Sequence, residues 1–307
     1  MKKTVILSLM AILFVAGISR DAWPAPSIVK IKVGEGPEAL AFDGQHLWVA
    51  NQFSNTVSRI DLARTAVTGT FRVGARPVAL TFDGSHLWVA NLHDDTVMRL
   101  RPSDGAIVDT ISVGRAPAGL AFDGSHVWVT NRRSHSVTKL RAADGLNLGT
   151  FTVGKQPVGI VATSETVWVA NNGSDTVTRL RASDGATIDT YPVGEGPMKL
   201  ALEGTNLWVT NYVDGTITRL RNDGTVLGTF ATGDGASGVM FDGATIWVTN
   251  NGANTLTMLR AADGTRRLTL PVGGDPMEIA VTRDALTGTR IWIANFGADS
   301  VTVVSWP

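Results

Sequence analysis

The chain has 307 residues and no cysteine. That absence removes disulfide scaffolds, thiolate nucleophiles, Cys-ligated zinc or iron–sulfur centres and haem attachment through CxxCH. An excess of one charge is also missing: 27 basic side chains balance 27 acidic ones. General nucleic-acid binders need a basic surplus to displace counterions from phosphate, so that class is disfavoured. Aromatic residues make up 7% of the chain and tyrosine only two positions. No GxSxG elbow, P-loop or HExxH motif occurs. After the N-terminus no apolar run approaches the roughly 20 residues that a membrane-spanning helix requires.

The N-terminus is different. Residues 1–19 place Lys2 and Lys3 before an apolar run from Val5 to Ile18, with the small residues Gly17 and Ser19 following. This is the pattern of a secretory signal peptide, with cleavage expected after residue 19 or as late as 25, and it predicts a periplasmic or secreted protein. An uncleaved anchor is the competing reading, although the run is short for one.

What the chain has in abundance is repetition. Trp48, Trp88, Trp128, Trp168, Trp208, Trp247 and Trp292 recur at intervals of about forty residues, which divides the chain into seven units. Residues 73–112 show the skeleton best. Four short runs, PVALTF, HLWVAN, TVMRLR and AIVDTIS, read as strands a to d, and Asp-Gly separates a from b and c from d. Asp-Gly between short runs rich in Val, Ile and Thr is a hairpin signal. Four antiparallel strands per unit, seven units in all, predict an all-β, seven-bladed β-propeller as a single domain over residues 27–306.

The last unit supplies strands a to c and then stops, whereas SIVKIKV at Ser27–Val33 precedes the first VGxxP turn as every strand d does. The N-terminal strand is therefore expected to complete blade seven and close the ring. The strand-b tryptophans are expected between blades. The Asn that ends each strand b, Asn51 through Asn295, is expected to bond its own backbone in an Asx turn. The strand-c arginine pairs, such as Arg99 with Arg101 and Arg179 with Arg181, are expected to form a solvated outer girdle.

The WVAN or WVTN of strand b, preceded by PxxLAFDG and followed by the Thr-Val strand and the VGxxP turn, resembles the YVTN family of β-propeller repeats, with Trp in place of Tyr. The resemblance spans all seven units and implies the propeller fold. Streptogramin lyases and the gluconolactonase group are more distantly similar propellers and are metal-dependent enzymes. No residue of their catalytic sites can be carried onto this sequence, because no matching acidic or His-Glu-His arrangement is found.

Departures from the repeat mark candidate binding residues. Two places after the turn proline, five blades carry Ala39, Ala79, Gly119, Gly159 or Gly238, but blade five has Lys199 and blade seven Glu278. With the neighbouring Glu38, these two are expected on one side of the channel mouth. Blades two to four carry Arg76, Arg115, Arg132, Arg133, Lys155, His93 and His135, an arc suited to an anionic group. Tyr212 lies on the same variable face. His93 and His135, on adjacent loops, could share a metal with Asp94 or Asp95, whereas His46, His86 and His126 occupy one repeat position and read as structural.

These features favour an exported binding protein that presents its variable face to a small-molecule, polymeric or protein ligand at the channel mouth, with no cofactor predicted. The alternative is a metal-dependent lyase or lactonase-type hydrolase in which a divalent cation polarises the substrate oxygen. No membrane span remains after leader removal, and a closed ring that covers its own strand edges predicts a monomer.

Overall fold

Runs of Val, Ile, Thr and Trp between Asp-Gly turns favour extended backbone, and the chain forms seven four-stranded antiparallel sheets. The computed structural model describes residues 25–284 and 288–306; the segment 1–19 expected to be a signal peptide lies outside them. Blade two shows the unit, with Pro77–Phe82 innermost, then Leu87–Asn91, Thr96–Leu100 and Ile107–Ser112 at the rim. Inner strands of successive blades pack against one another around a common axis. Among the described residues, the one helical element is the 3-10 turn Phe296–Ala298, and no helix is long and apolar enough to cross a membrane.

Closure follows the expected route. Ser27–Lys32 pairs antiparallel with Ser300–Ser305, from Ser27 opposite Ser305 to Lys32 opposite Ser300. Blade seven thus joins the two ends of the chain in one sheet. The Val33 N–H continues the pairing to the Asp299 carbonyl at 3.0 Å. Trp292 of blade seven packs with Leu40 and Leu47 of blade one, so the last interblade core is built like the others.

Each strand-b tryptophan is buried against the following blade, as Trp48 is against Leu80, Leu87 and Val89. A buried indole needs an acceptor for its N–H. The Asp of the a–b turn supplies it: Asp43 accepts from Trp48 at 2.7 Å, Asp83 from Trp88 at 2.7 Å and Asp123 from Trp128 at 2.8 Å. The other Oδ of Asp43 accepts the Gln45 and His46 backbone N–H groups, so one carboxylate sets both the turn and the ring. Glu203 takes this role in blade five and the Thr282 hydroxyl in blade seven.

A strand-c cation covers the other side of the ring. Arg59, Arg99, Lys139, Arg179 and Arg219 lie 5.1–5.7 Å from the tryptophan centroids of their own blades. Each then donates to a carbonyl in the c–d turn of the next blade, as Arg99 does to Ala142 at 3.0 Å and Lys139 to Ala182 at 2.7 Å. In blade seven, Arg290 reaches the Leu62 carbonyl of blade one at 2.6 Å, whereas blade six carries Met258 in place of the strand-c cation.

This corrects the expected arginine girdle. Arg101 and Arg181 are indeed exposed and paired with Asp104 and Asp184. Arg99, by contrast, is 5% exposed, pairs with Asp109 and ties two blades together. Two residues apart on a strand, both arginines share a face, but the next blade covers only the inner one. The expected Asx turns are also corrected: the Asn51 amide donates across to the Thr56 and Ser58 hydroxyls of strand c at 3.1 and 2.9 Å. The Gly of each VG turn lies on this amide, and a Cβ at Gly34 would fall 2.7 Å from Asn51.

The two arginines of strand c should therefore respond differently to substitution. Arg99→Met is expected to lower stability by about 2–4 kcal/mol, because it removes charge-assisted bonds from a buried position. Arg101→Met, at an exposed pair, should change it by no more than about 0.5–1 kcal/mol. Urea midpoints of the two variants check the contrast.

Candidate functional site at the axial mouth

The inner strands crowd the axis, and small side chains follow from that. A Cβ built on Gly119, Gly159 or Gly238 would fall 2.2 Å from a backbone carbonyl of the next blade. Around this ring Lys199 and Glu278 are the two charged departures, and they line an axial cavity of about 310 Å3 together with Ala39, Ala79, Gly119 and Gly159. That volume falls at the lower end of small-molecule pockets.

The Lys199 ammonium donates to Glu278 Oε2 at 2.5 Å, across the position of Gly238 in the intervening blade. Both side chains are about four-fifths buried, at 20% and 17% exposure. Burial opposes the lysine's charge, but attraction to Glu278, its hydrogen bond and the charge of Glu38 outweigh it, so the ammonium pKa is raised. Lys199 is thus a firmly protonated, firmly paired cation.

Glu38 lies one residue closer to the loops, on blade one next to blade seven, and is half-buried. Among the described residues its carboxylate makes no hydrogen bond. Burial is the largest influence on it, followed by the opposing pull of Lys199, the repulsion of Glu278 and the weaker pull of Arg132; together they push its pKa up to about 7. The three residues gathered by repeat alignment are therefore in mutual electrostatic contact, and Arg132 joins them from the opposite arc.

The other candidates sit on exposed loops of the same face. Arg76 holds its guanidinium 5.6 Å from the Phe53 centroid. Arg132 donates to Gln156 Oε1 at 3.3 Å. Arg115, Arg133, Lys155 and His93 are exposed on the rim, and the Tyr212 hydroxyl donates to Asn251 Oδ1 at 3.1 Å. His135 has a structural part. It ends its b–c loop with a φ of 53°, as Asn55, Asp95 and Asp175 end theirs, and its Nδ1 accepts the Gln156 N–H of the next blade at 3.0 Å. Its ring proton accordingly sits on Nε2. Asp94 and Asp95 are likewise engaged by the Ala75 and Ala116 N–H groups. Among the described residues, no three His, Asp or Glu side chains converge as metal ligands would.

Sequence reasoning picked out Arg132 and Tyr212 but missed the ring to which they belong. The residue after each strand-b Asn donates its N–H to the carbonyl just before the inner strand, as Gln52 does to Gly36, Arg132 to Ala116 and Phe296 to Asp275. This bond fixes seven loop residues over the starts of the seven inner strands. They are Gln52, Leu92, Arg132, Asn172, Tyr212, Asn251 and Phe296, varied in chemistry where their neighbours repeat. The available signal was their fixed offset from an Asn present in every blade.

Fold and site together define a seven-bladed β-propeller with a charged axial mouth. Among solved structures it is similar to a streptogramin B lyase, with a TM-score of 0.80 and 17% identity over 94% of this chain and 100% of that one. It is similar to a catalytically inactive virginiamycin B lyase from Staphylococcus aureus with quinupristin, with a TM-score of 0.79 and 18% identity over 92% of this chain and 100% of that one. It is also similar to hydrazine synthase of Kuenenia stuttgartiensis, with a TM-score of 0.76 and 18% identity over 88% of this chain and 95% of that one. At such identities these likenesses establish the fold. No protein-family model and no curated protein matches the chain.

The raised pKa of Glu38 makes stability depend on pH in a definite direction. Between pH 4.5 and 7 the unfolded carboxyl is ionised while the folded one keeps its proton, so stability falls as pH rises through that window and then levels off. Glu38→Gln should remove this fall and exceed the parent at pH 8 by about 1–3 kcal/mol, while matching it near pH 4.5. Thermal melts at the two pH values measure the difference.

Proposed function

We propose that the chain is an exported binding protein that takes a small ligand at the axial mouth on its variable face. The observation that carries this reading is Glu38: a half-buried carboxylate at the start of an inner strand, without a hydrogen bond from the described residues, in electrostatic contact with a Lys199–Glu278 pair already satisfied in itself. At the position of Glu38 the other six blades carry the uncharged Val78, Ala118, Val158, Met198, Ser237 and Met277, so the propeller closes without charge there. A group that lowers stability at neutral pH and closes no structural contact is what a ligand site retains. The leader, with Lys2 and Lys3 before its apolar run, supports export.

A metal-dependent lyase or lactonase would use the same face and is the outcome that the test must separate. Thermal melts of the full chain after EDTA treatment, against a panel of small polar metabolites and then single divalent cations, provide the comparison. Binding to the native state raises the midpoint. A metabolite shift that persists in EDTA and disappears in Glu38→Gln agrees with the proposal. Turnover of a lactone or depsipeptide that requires a divalent cation and is lost in Glu278→Ala contradicts it.

A further inference from the structure

The mouth contains two carboxylates, Glu38 and Glu278, and the inner ring supplies one lysine. That lysine is committed, since Lys199 bonds Glu278 at 2.5 Å. The other cation acting on Glu38 is Arg132, the weakest of the influences on it, whose guanidinium is exposed on its loop and directed to Gln156 Oε1. One negative charge at the mouth is therefore left open. An anionic ligand would meet this charge, and a bare metal ion would find no third His, Asp or Glu ligand among the described residues.

A second feature of the same sector points to the sign of the ligand. Phe53 of blade one and Phe296 of blade seven meet edge to face with centroids 5.2 Å apart. Both rings lie over Gly36, two residues before Glu38: a Cβ there would fall 2.8 Å from Phe53 and 3.1 Å from Phe296. Phe53 is 50% exposed, so one side of this aromatic pair is open to a ligand. Its π face already holds a cation, the Arg76 guanidinium. A carboxylate two residues along the chain from the glycine that an aromatic pair covers offers an ammonium group a counter-charge and its apolar carrier a surface.

We propose that the mouth binds its ligand through a protonated or quaternary amine carried on an apolar group, with the cation against Glu38 and the apolar part against the Phe53–Phe296 pair. This rests on the reading of the chain as a binding protein and assigns the ligand class. The groups that act on Glu38 are Lys199 and Glu278 from the inner strands and Arg132 from its loop. Proton and ligand then compete for one carboxylate.

Isothermal titration of the full chain with four probes tests this: phenethylamine, its N,N,N-trimethyl derivative, 2-phenylethanol and 3-phenylpropanoate. Both cations should bind at least tenfold more tightly than the alcohol or the carboxylate. Their affinity should fall about thirtyfold between pH 8.5 and 5.5, as the ionised fraction of a group titrating near pH 7 falls. At pH 7 the heat should depend on the ionisation enthalpy of the buffer, because binding releases protons. Glu38→Gln should abolish the binding, and Phe53→Leu with Phe296→Leu should weaken both cations. Equal binding of the alcohol, an affinity indifferent to pH, unchanged binding in Glu38→Gln, or no binding by any of the four probes overturns the amine assignment. If 3-phenylpropanoate binds and Glu38→Gln alters it, the mouth remains a ligand site and only the amine assignment fails. Cation-dependent turnover would instead overturn the binding reading itself.

Discussion

The tryptophan between blades is the constraint on which the rest of the structure depends. Its indole must be buried to form the interblade core, and burial requires an acceptor for its N–H. Asp43 and its counterparts meet that need while they shape the a–b turn. Cations such as Arg59 and Lys139 cover the ring and cross to the carbonyls of the next blade. Turn, core and interblade contact are thus one device, repeated in most blades with substitutions that keep its chemistry, Glu203 for Asp, Lys139 for Arg and the Thr282 hydroxyl in blade seven, and relaxed where Thr163 and Met258 stand in blades four and six.

So firm a spacing at the tryptophan radius forces the inner strands together at the axis. Gly119, Gly159 and Gly238 approach the backbone of the following blade too closely for a Cβ. A charged side chain in that ring carries a desolvation cost, which Lys199 and Glu278 offset by pairing. Glu38 has no such hydrogen-bonded partner among the described residues, and its raised pKa is the physical record of that imbalance. The scaffold confines this unbalanced charge to one sector of the mouth, on blade one, two residues from the Gly36 that the Phe53–Phe296 rings cover.

Much of this was legible in the sequence because the repeat reports its own exceptions. Tryptophan spacing and Asp-Gly turns placed the strands of blade two within a residue of their observed limits, and the missing strand d located the closing pair Ser27–Lys32 with Ser300–Ser305. Lys199 and Glu278 stood out against Ala and Gly at one offset. Periodicity alone could not show which of two same-faced arginines the next blade covers, and so Arg99 was misread as solvated. Nor could it show that His135 replaces Asp or Asn as a left-handed loop residue accepting a neighbour's N–H. Arg132 and Tyr212 stood out singly, but the ring from Gln52 to Phe296 that contains them could not be read as a ring because the residues bonding to it lie in a different loop of the blade.

The central claim is that Glu38 is an open carboxylate in a partly desolvated, charge-coupled mouth. Carbon-13 NMR of the chain labelled at glutamate side-chain carboxyls, with the Glu38 resonance assigned by its loss in Glu38→Gln, measures this directly. The account predicts that this resonance titrates with a pKa of about 7. A titration near 4.5, the ordinary value for the group, would contradict it.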